Sequence, residues 1–170
     1  MSIQQAPDIT ATRWRIDPKH SSVEFQVKNF WGIATVKGGF SRYHGTLDLT
    51  ADPAIELTIE ADSLDTRHEK RDKHLRSRDF FDVEAHPYVR FVSDRAVLEG
   101  ERLRVRGRLH ARGTSIPLTL EATLRPDGDG LELEAFTEAD RRELGMTFNT
   151  IGAISHTSRL IVKGRLERDI

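Results

Sequence analysis

Polar and apolar residues alternate along most of the chain, with the period of two that is typical of β-strands with one face on a core. The clearest run covers 55–62, where Ile55, Leu57 and Ile59 alternate with acidic residues and threonine. A second run covers 102–112, where apolar residues and glycine alternate with arginine and histidine. Seven to nine strands of this kind predict an antiparallel sandwich or a closed barrel.

The alternation changes parity at Pro18. Trp14 and Ile16 are apolar at even numbers, whereas Val23 and Phe25 are apolar at odd numbers. A change by one residue indicates a bulge or a bend, as occurs where a strand turns a barrel corner. Together with strand glycines such as those at 38 and 107, it favours an all-β fold: an antiparallel β-barrel of about eight strands. A barrel of that size either fills its interior with side chains or holds one small ligand.

One stretch breaks the strand pattern. Thr66 and Glu69 have the spacing of a capping box, good helix formers follow to about Ser77, and Pro87 ends the stretch. We therefore predict one short helix, over about 67–77, near a barrel opening. Its inward stripe is expected to be His68, Arg71 or Asp72, and Leu75, with Phe80 or Phe81 also facing inward. Because that stripe is mostly charged, the helix suits a polar lid better than a dry plug; a solvated surface helix is the alternative.

The residues Gly113-Thr114 fit a two-residue hairpin loop of type II′, with glycine at its first position. That register predicts Arg106 opposite Glu121. The arginine-rich outer stripe of 102–112 would then lie beside an acidic one that includes Glu134. We interpret these charges as cross-strand pairs rather than as a phosphate-binding surface.

Composition restricts the classes of function. The chain has 170 residues, which predicts one domain, 13–170, after a flexible N-terminal arm, 1–12. Twenty-six Lys and Arg against 27 Asp and Glu give a net charge of -1, unlike that of a dedicated nucleic-acid binder. Zero cysteines exclude disulfides, thiolate metal sites and a cysteine nucleophile. No signal peptide and no membrane span are visible, so a cytoplasmic protein is expected; a homodimer is left open.

Two groups of residues resemble catalytic or metal sites, and neither satisfies the geometry. Asp17, His20 and Ser21 lie within five residues of a bent strand, so their side chains point to different faces. We expect Asp17 and His20 to bond to the backbone at the bend. His68 and Asp72 share a helix face from which His74 is displaced, and no third metal ligand is evident. The prediction is no catalytic residue and no metal.

Several motifs together resemble the YceI-like family, from Trp14 to about Glu167. The most specific block is Arg71-Asp72-x-His74-Leu75-x-Ser77-x-Asp79-Phe80-Phe81-Asp82, and the others are Trp14-x-Ile16-Asp17-Pro18-x-His20-Ser21 and Val36-x-Gly38-x-Phe40. The resemblance implies a lipocalin-like barrel that binds a polyisoprenoid or a similar long-chain amphiphile in its interior. It also implies no enzymatic activity.

The resemblance suggests which side chains would meet such a ligand. Arg71 and His74 would supply donors for a pyrophosphate or quinone head at the mouth. Apolar side chains would line the interior; the ligand-binding hypothesis covers Arg71, His74, Leu75, Phe80, Phe81, Phe25, Phe40, Phe91 and Met146. No cofactor is expected beyond a bound isoprenoid-like lipid or isoprenoid quinone. Two alternatives stay open: an enzyme acting on an isoprenoid or an amide-type small molecule, and a stress-related interaction module with a solid barrel.

The sequence departs from the family pattern at two places. Family members are often exported, and no export signal is visible here. The family usually has an aromatic residue before the glycine of an Arg-x-x-aromatic-Gly segment, whereas this chain reads Arg142-Glu143-Leu144-Gly145-Met146. Leucine supplies apolar area there but no ring.

Overall fold

The computed structural model describes residues 12–149 and 152–169. The predicted arm therefore lies outside the described residues, except for Thr12. Eleven strands and one helix make up the described regular structure, with short 3₁₀ turns between some of them. They are β1 (Arg13–Ile16), β2 (Ser22–Asn29), β3 (Ala34–Phe40), β4 (Tyr43–Asp48), β5 (Ala54–Glu60), β6 (Leu64–Asp65), α1 (Glu69–Arg76), β7 (Tyr88–Glu99), β8 (Arg102–Ala111), β9 (Thr114–Asp127), β10 (Gly130–Asp140) and β11 (Thr157–Arg168).

The eleven segments combine into eight long strands. β1 and β2 are two halves of one bent strand, as are β3 with β4 and β5 with β6, because each half pairs with the corresponding half of its neighbour. Every neighbouring pair is antiparallel, and β1 pairs with β11 as well as with β4. The sheet thereby closes. The predicted all-β, antiparallel barrel of eight strands with one helix is confirmed.

The parity change at Pro18 is a 3₁₀ turn over Pro18–His20. Asp17 caps it: one carboxylate oxygen accepts from the amide of Lys19 at 3.0 Å, and the other lies 2.6 Å from Nδ1 of His20. These bonds hold the pKa of Asp17 below its ordinary value, mainly through the His20 contact. Ser21 faces another neighbour, since its Oγ accepts from the amide of Arg165 at 3.2 Å. The motif fixes the strand bend.

The β8–β9 hairpin differs from the prediction by one residue. Its loop is Arg112-Gly113, both with positive φ, at 54° and 69°. Positive φ at both central residues defines a type I′ turn, whose twist matches that of the flanking strands. The predicted type II′ turn at Gly113-Thr114 is therefore wrong, because the glycine occupies the second loop position and not the first.

The corrected register moves the charge pairs. Arg104, not Arg106, lies opposite Glu121, with 3.8 Å between Nε and Oε1. Thr119 faces Arg106, and Glu134 pairs with Thr123 instead of lying next to Glu121. The arginine stripe still shares an outer face with Glu121. These exposed pairs contribute little to stability.

The helix begins later than the capping box predicts. Its N-cap is His68, whose Nδ1 accepts from the amide of Arg71 at 3.2 Å, and the helix covers Glu69–Arg76 instead of 67–77. Thr66 has a different partner: its amide and hydroxyl both donate to one oxygen of buried Asp72, at 2.9 and 2.5 Å. His68 is exposed, so it does not belong to the inward stripe. No helix in the described ranges is long and apolar enough to cross a bilayer.

Candidate functional site: an apolar cavity beneath the helix

The barrel encloses a cavity of about 360 Å³. Ile16, Leu103 and Leu166 line the part of the cavity that is farther from α1. Strand residues from around the barrel form its wall. The other end is covered by α1 and the segment 77–87, which we call the lid. All nine residues of the ligand-binding hypothesis line this cavity: Arg71, His74, Leu75, Phe80, Phe81, Phe25, Phe40, Phe91 and Met146. Their contact with a ligand stays a prediction.

Phe80 and Phe81 point into two different aromatic clusters beneath the lid. The Phe81 ring lies 6.3 Å from that of Phe25 and 5.8 Å from that of Phe40, centre to centre. The Phe80 ring packs at 5.6 Å against Phe148. Phe80 is buried, whereas Phe81 is half-buried. The adjacent pair thus fastens the lid to both sides of the mouth, which fits the predicted inward orientation.

Strand glycines make room for two of these rings. A Cβ on Gly38 would lie 2.5 Å from Cζ of Phe25, and one on Gly107 would lie 2.7 Å from Cζ of Phe91. Contacts this short are sterically excluded. The glycines in β3 and β8 therefore let phenylalanine rings lie flat along the wall, as the sequence pattern indicated.

Arg71 is half-buried at the rim of the cavity. Its Nε donates to the Thr66 hydroxyl at 2.8 Å, and its Nη2 donates to the Thr66 carbonyl at 2.9 Å. The carboxylate of Asp72 bonds to Thr66 rather than to Arg71. Within the described part of the chain, Arg71 has no carboxylate close enough for an ion pair. The rim therefore carries an oriented positive charge that is linked to Asp72 through the Thr66 hydroxyl and not by a direct ion pair.

His74 is held in place by its surroundings. Its Nε2 lies 2.8 Å from a carboxylate oxygen of Asp79, and its ring packs edge-on against Phe80 at 5.1 Å and Phe148 at 4.5 Å. One ring nitrogen thus already has a partner, so His74 is better placed to orient the aromatic cluster than to bind a head group. Among the described residues, no three His, Cys, Asp or Glu side chains come together to hold a metal.

Arg141 lines the cavity and was missed by the sequence reasoning. Only 3 % of it is exposed, and its guanidinium donates to four backbone carbonyls: Met146, Phe148, Ile154 and Ser155. Burial lowers its pKa, and nearby Asp140 opposes that effect. The side chain remains charged, because an arginine is not deprotonated in proteins. It holds together residues 146–148 and 154–155, several of which line the cavity beside the lid.

A signal for Arg141 was present in the sequence. The Arg-x-x-Leu-Gly segment that ends at Gly145 begins at Arg141 and not at exposed Arg142. Leu144, which replaces the expected aromatic residue, is buried and lines the cavity. Phe148 and Ile154 also line it and were missed, because the segment that carries them has no strand alternation to mark an inward face.

Two arginines fasten the lid to the barrel. Arg76 donates to the carbonyls of Asp62 at 3.1 Å and Leu64 at 2.7 Å. Arg112, in the β8–β9 turn, donates to the carbonyls of Gly145 and Arg78. Neither side chain lines the cavity. The lid is therefore attached mostly through backbone carbonyls at its margins, with apolar contacts in the centre.

Comparison with known proteins supports a family assignment. The model of the YceI-like domain matches residues 14–166. Proteins named Protein YceI from Salmonella arizonae and Salmonella paratyphi B are each 36 % identical over 126 residues, which is 70 % of this chain. The match spans 65 % of those relatives, so the chain covers less than two thirds of their length.

Solved structures share the fold at low sequence identity. BcnA of Burkholderia cenocepacia superposes with a TM-score of 0.80 at 18 % identity, covering 89 % of this chain and 98 % of that one. A YceI protein of Campylobacter jejuni gives 0.72 at 22 % identity, with 81 % and 87 % covered. A polyisoprenoid binding domain from Saccharophagus degradans, implicated in plant cell wall breakdown, gives 0.73 at 15 % identity, with 92 % and 98 % covered. At identities this low, the similarity shows the fold alone.

Proposed function

The chain belongs to the YceI-like family, and from this premise we propose that its barrel binds a polyisoprenoid or a similar long-chain amphiphile without covalent chemistry. The observation that carries the proposal is the cavity of about 360 Å³ with its nearly continuous aliphatic and aromatic lining. An interior of this kind offers almost no hydrogen-bond partners to water, and apolar cavities stay dry. The polyisoprenoid binding domain with the same fold supports the choice of ligand class.

The cavity volume sets the share of the chain that fits. About 360 Å³ is at the lower end of the roughly 300–1,000 Å³ of ligand pockets, so the cavity holds only part of a long isoprenoid chain. Every ten CH₂ groups removed from water contribute about 8 kcal/mol, which is comparable with the about 4–15 kcal/mol lost in immobilising a ligand. A longer chain would extend beyond the mouth. Affinity would therefore depend on the lid and the rim as well as on the wall.

The charge of Arg71 at the rim of the cavity favours a ligand with an anionic head group. Arg71 presents a charge without an ion pair, and Arg141 is already occupied by carbonyls. We assign the head group to Arg71 and a positioning role to His74. The two alternatives raised by the sequence make different predictions: an enzyme would consume the ligand over time, and a solid barrel would carry none. Extraction of the purified protein and mass spectrometry of the extract test both.

The substitution Arg71→Met tests the head-group assignment. Binding of a polyprenyl phosphate should weaken about tenfold or more relative to the matching uncharged polyprenol, because a charge-assisted contact is lost only for the phosphate. Titration of each lipid into the protein in a mild detergent measures the two affinities. Arg71→Lys retains the charge and should retain most of the preference.

Arg76→Met is the matched control for loss of lid anchoring. Arg76 lies on the same helix and also donates to backbone carbonyls, but it does not line the cavity. It should weaken both lipids alike, through the fold. Equal weakening of both lipids by Arg71→Met as well would reject the head-group role. A purified protein that retains neither lipid would reject the carrier function. The cytoplasmic location and the homodimer stay predictions.

A further inference from the structure

The loop that joins β2 to β3, residues 30–33, exposes three large apolar side chains at its tip. Phe30 is 52 % exposed, Trp31 73 % and Ile33 88 %. We call this segment the aromatic loop. The aromatic loop lies at the lid end of the barrel, which is the end where β2 finishes and β3 begins. A cluster of this kind in contact with water is costly unless another phase covers it.

The backbone of the aromatic loop is strained. Phe30 and Trp31 both have positive φ, at 49° and 54°. For residues with a Cβ this left-handed conformation is disfavoured, and glycine or asparagine would adopt it with less strain. Because both rings are more than half exposed, burial offsets little of this strain. A strained backbone conformation that packing does not explain favours a functional role.

The loop adjoins the mouth of the cavity. Asn29, directly before Phe30, lines the cavity, and the amide of Trp31 donates to the carbonyl of Ala153 at 3.1 Å. Ile154, the next residue, also lines the cavity. The amide of Ser155 donates to the carbonyl of Lys28 at 2.8 Å, which fixes the loop to the 152–156 segment. The aromatic loop therefore lies beside the mouth of the cavity and is attached to a segment that lines it.

We propose that the aromatic loop inserts into the interface of a lipid bilayer and positions the mouth where the ligand enters. This inference rests on the proposed function and adds the place from which the ligand is taken. Tryptophan and phenylalanine suit the bilayer interface, where an amphipathic ring meets both head groups and acyl chains. Residues 28–37 contain two lysines and no carboxylate, which is compatible with anionic head groups.

A bilayer fits the loop better than a second protein does. Three partly exposed residues present on the order of 500 Å², less than the roughly 800 Å² per partner of a stable protein interface. All three lie within one four-residue loop, and the space around Gly32 at its centre is open. A tip that penetrates an apolar phase buries all of its surface without a complementary partner.

The chain contains a built-in probe of insertion. Its two tryptophans differ in exposure: Trp14 is 1 % exposed in the barrel, and Trp31 is at the loop tip. In a Trp14→Phe variant, Trp31 is the sole emitter. Added to phosphatidylcholine vesicles with some phosphatidylglycerol and no isoprenoid, it should show a blue-shifted emission and quenching by brominated acyl chains.

Vesicle flotation measures the contribution of the loop. The double variant Trp31→Asn with Ile33→Asn should bind the same vesicles at least about tenfold more weakly, since asparagine carries little apolar area and tolerates the left-handed backbone at position 31. Val97→Asn is the matched control: Val97 is also exposed, at 40 %, but lies on β7 near the opposite end. It should bind as the unchanged protein does. A double variant that still melts cooperatively shows that the fold is retained.

Transfer of a fluorescent polyprenol from vesicles to the protein then links the loop to loading. The double variant should load more slowly and reach the same final occupancy. Absence of vesicle binding by the unchanged protein, or equal binding by the double variant, would overturn the inference. A dimer that dissociates on Trp31→Asn would overturn it too, since the loop would then contact a second copy. Flotation needs no isoprenoid, so its result is independent of whether the barrel binds one.

Discussion

At the end of the barrel where β1 begins, Trp14, Leu124 and Leu131 are at most 1 % exposed. At the lid end, inward-facing Leu75 and Phe81 are only half-buried, although they lie beneath α1 and its following segment. None of the first three residues lines the cavity, whereas both of the others do. The same alternation of polar and apolar residues therefore builds a solid floor at one end and a hollow at the other. Facing inward does not by itself mean being packed.

Side-chain size contributes to the difference. The floor holds a tryptophan and several leucines, whereas the cavity wall above it includes Ala111, Ala135 and Ala139. Small residues leave volume that their neighbours across a barrel cannot reach. The connections differ as well: the lid end carries the long segments 65–88 and 140–157, and the floor end carries short turns at 99–102 and 127–130. The proposed binding site lies where the packing is incomplete and the loops are long.

The two tryptophans give the sharpest test of this comparison. Trp14→Ala should lower the free energy of unfolding by about 3–5 kcal/mol, because it opens a large cavity in a packed floor. Trp31→Ala should change it by less than about 0.5 kcal/mol, because the ring is exposed. Urea denaturation followed by circular dichroism measures both. If Trp14→Ala does not fold, Trp14→Phe should still show a partial loss; similar values for Trp14 and Trp31 would contradict the distinction.

Two leucines on one face of β10 give the next largest effect. Leu131 is fully buried, and Leu133, one pleat along, lines the cavity. Leu131→Ala should cost about 2–5 kcal/mol. Leu133→Ala should cost at least about 1 kcal/mol less, since it enlarges an existing cavity instead of creating one. Thermal or urea unfolding gives both values, and equal losses would indicate that the wall is packed as tightly as the floor.

Acid stability tests a smaller contribution at the lid end. The hydrogen bonds from the Arg142 side chain and amide lower the pKa of Asp140 to about 2. A carboxyl whose pKa is depressed on folding stabilises the fold fully above its ordinary value of 3.8 and loses that contribution as the pH falls toward about 2. Asp140→Asn should therefore lower the thermal midpoint slightly at pH 7 and leave it unchanged near pH 2.

Asp140 also caps the 3₁₀ turn that carries Arg141, so the same variant reports on the mouth. Lys163→Met is a suitable control, because its exposed contact with Glu134 lies outside the lid region. Lys163→Met should change the thermal midpoint by the same amount at pH 7 and near pH 2. If Asp140→Asn lowers the thermal midpoint as much near pH 2 as at pH 7, the carboxylate charge is not what stabilises the turn.

The sequence by itself determined the sheet and most of the cavity lining. Strand alternation depends only on the backbone, whose side chains point to opposite faces at every second residue, so the inward set follows from parity. The bend at Pro18 follows from the same reasoning, and the aromatic pair Phe80-Phe81 marked the lid. The family motifs added the block around Arg71. These features are local or repeat with a fixed period.

Only the tertiary structure decided the rest. The turn at Arg112-Gly113, the bond between Thr66 and Asp72 and the burial of Arg141 each depend on backbone and side-chain geometry that residue spacing leaves open. A shift of one residue in a loop changes every pair across the strands, and sequence spacing alone does not fix it. Parity gives the direction of a side chain but not the distance to the opposite wall. That distance is set by the closure of eight strands, and it separates the packed floor from the hollow above it.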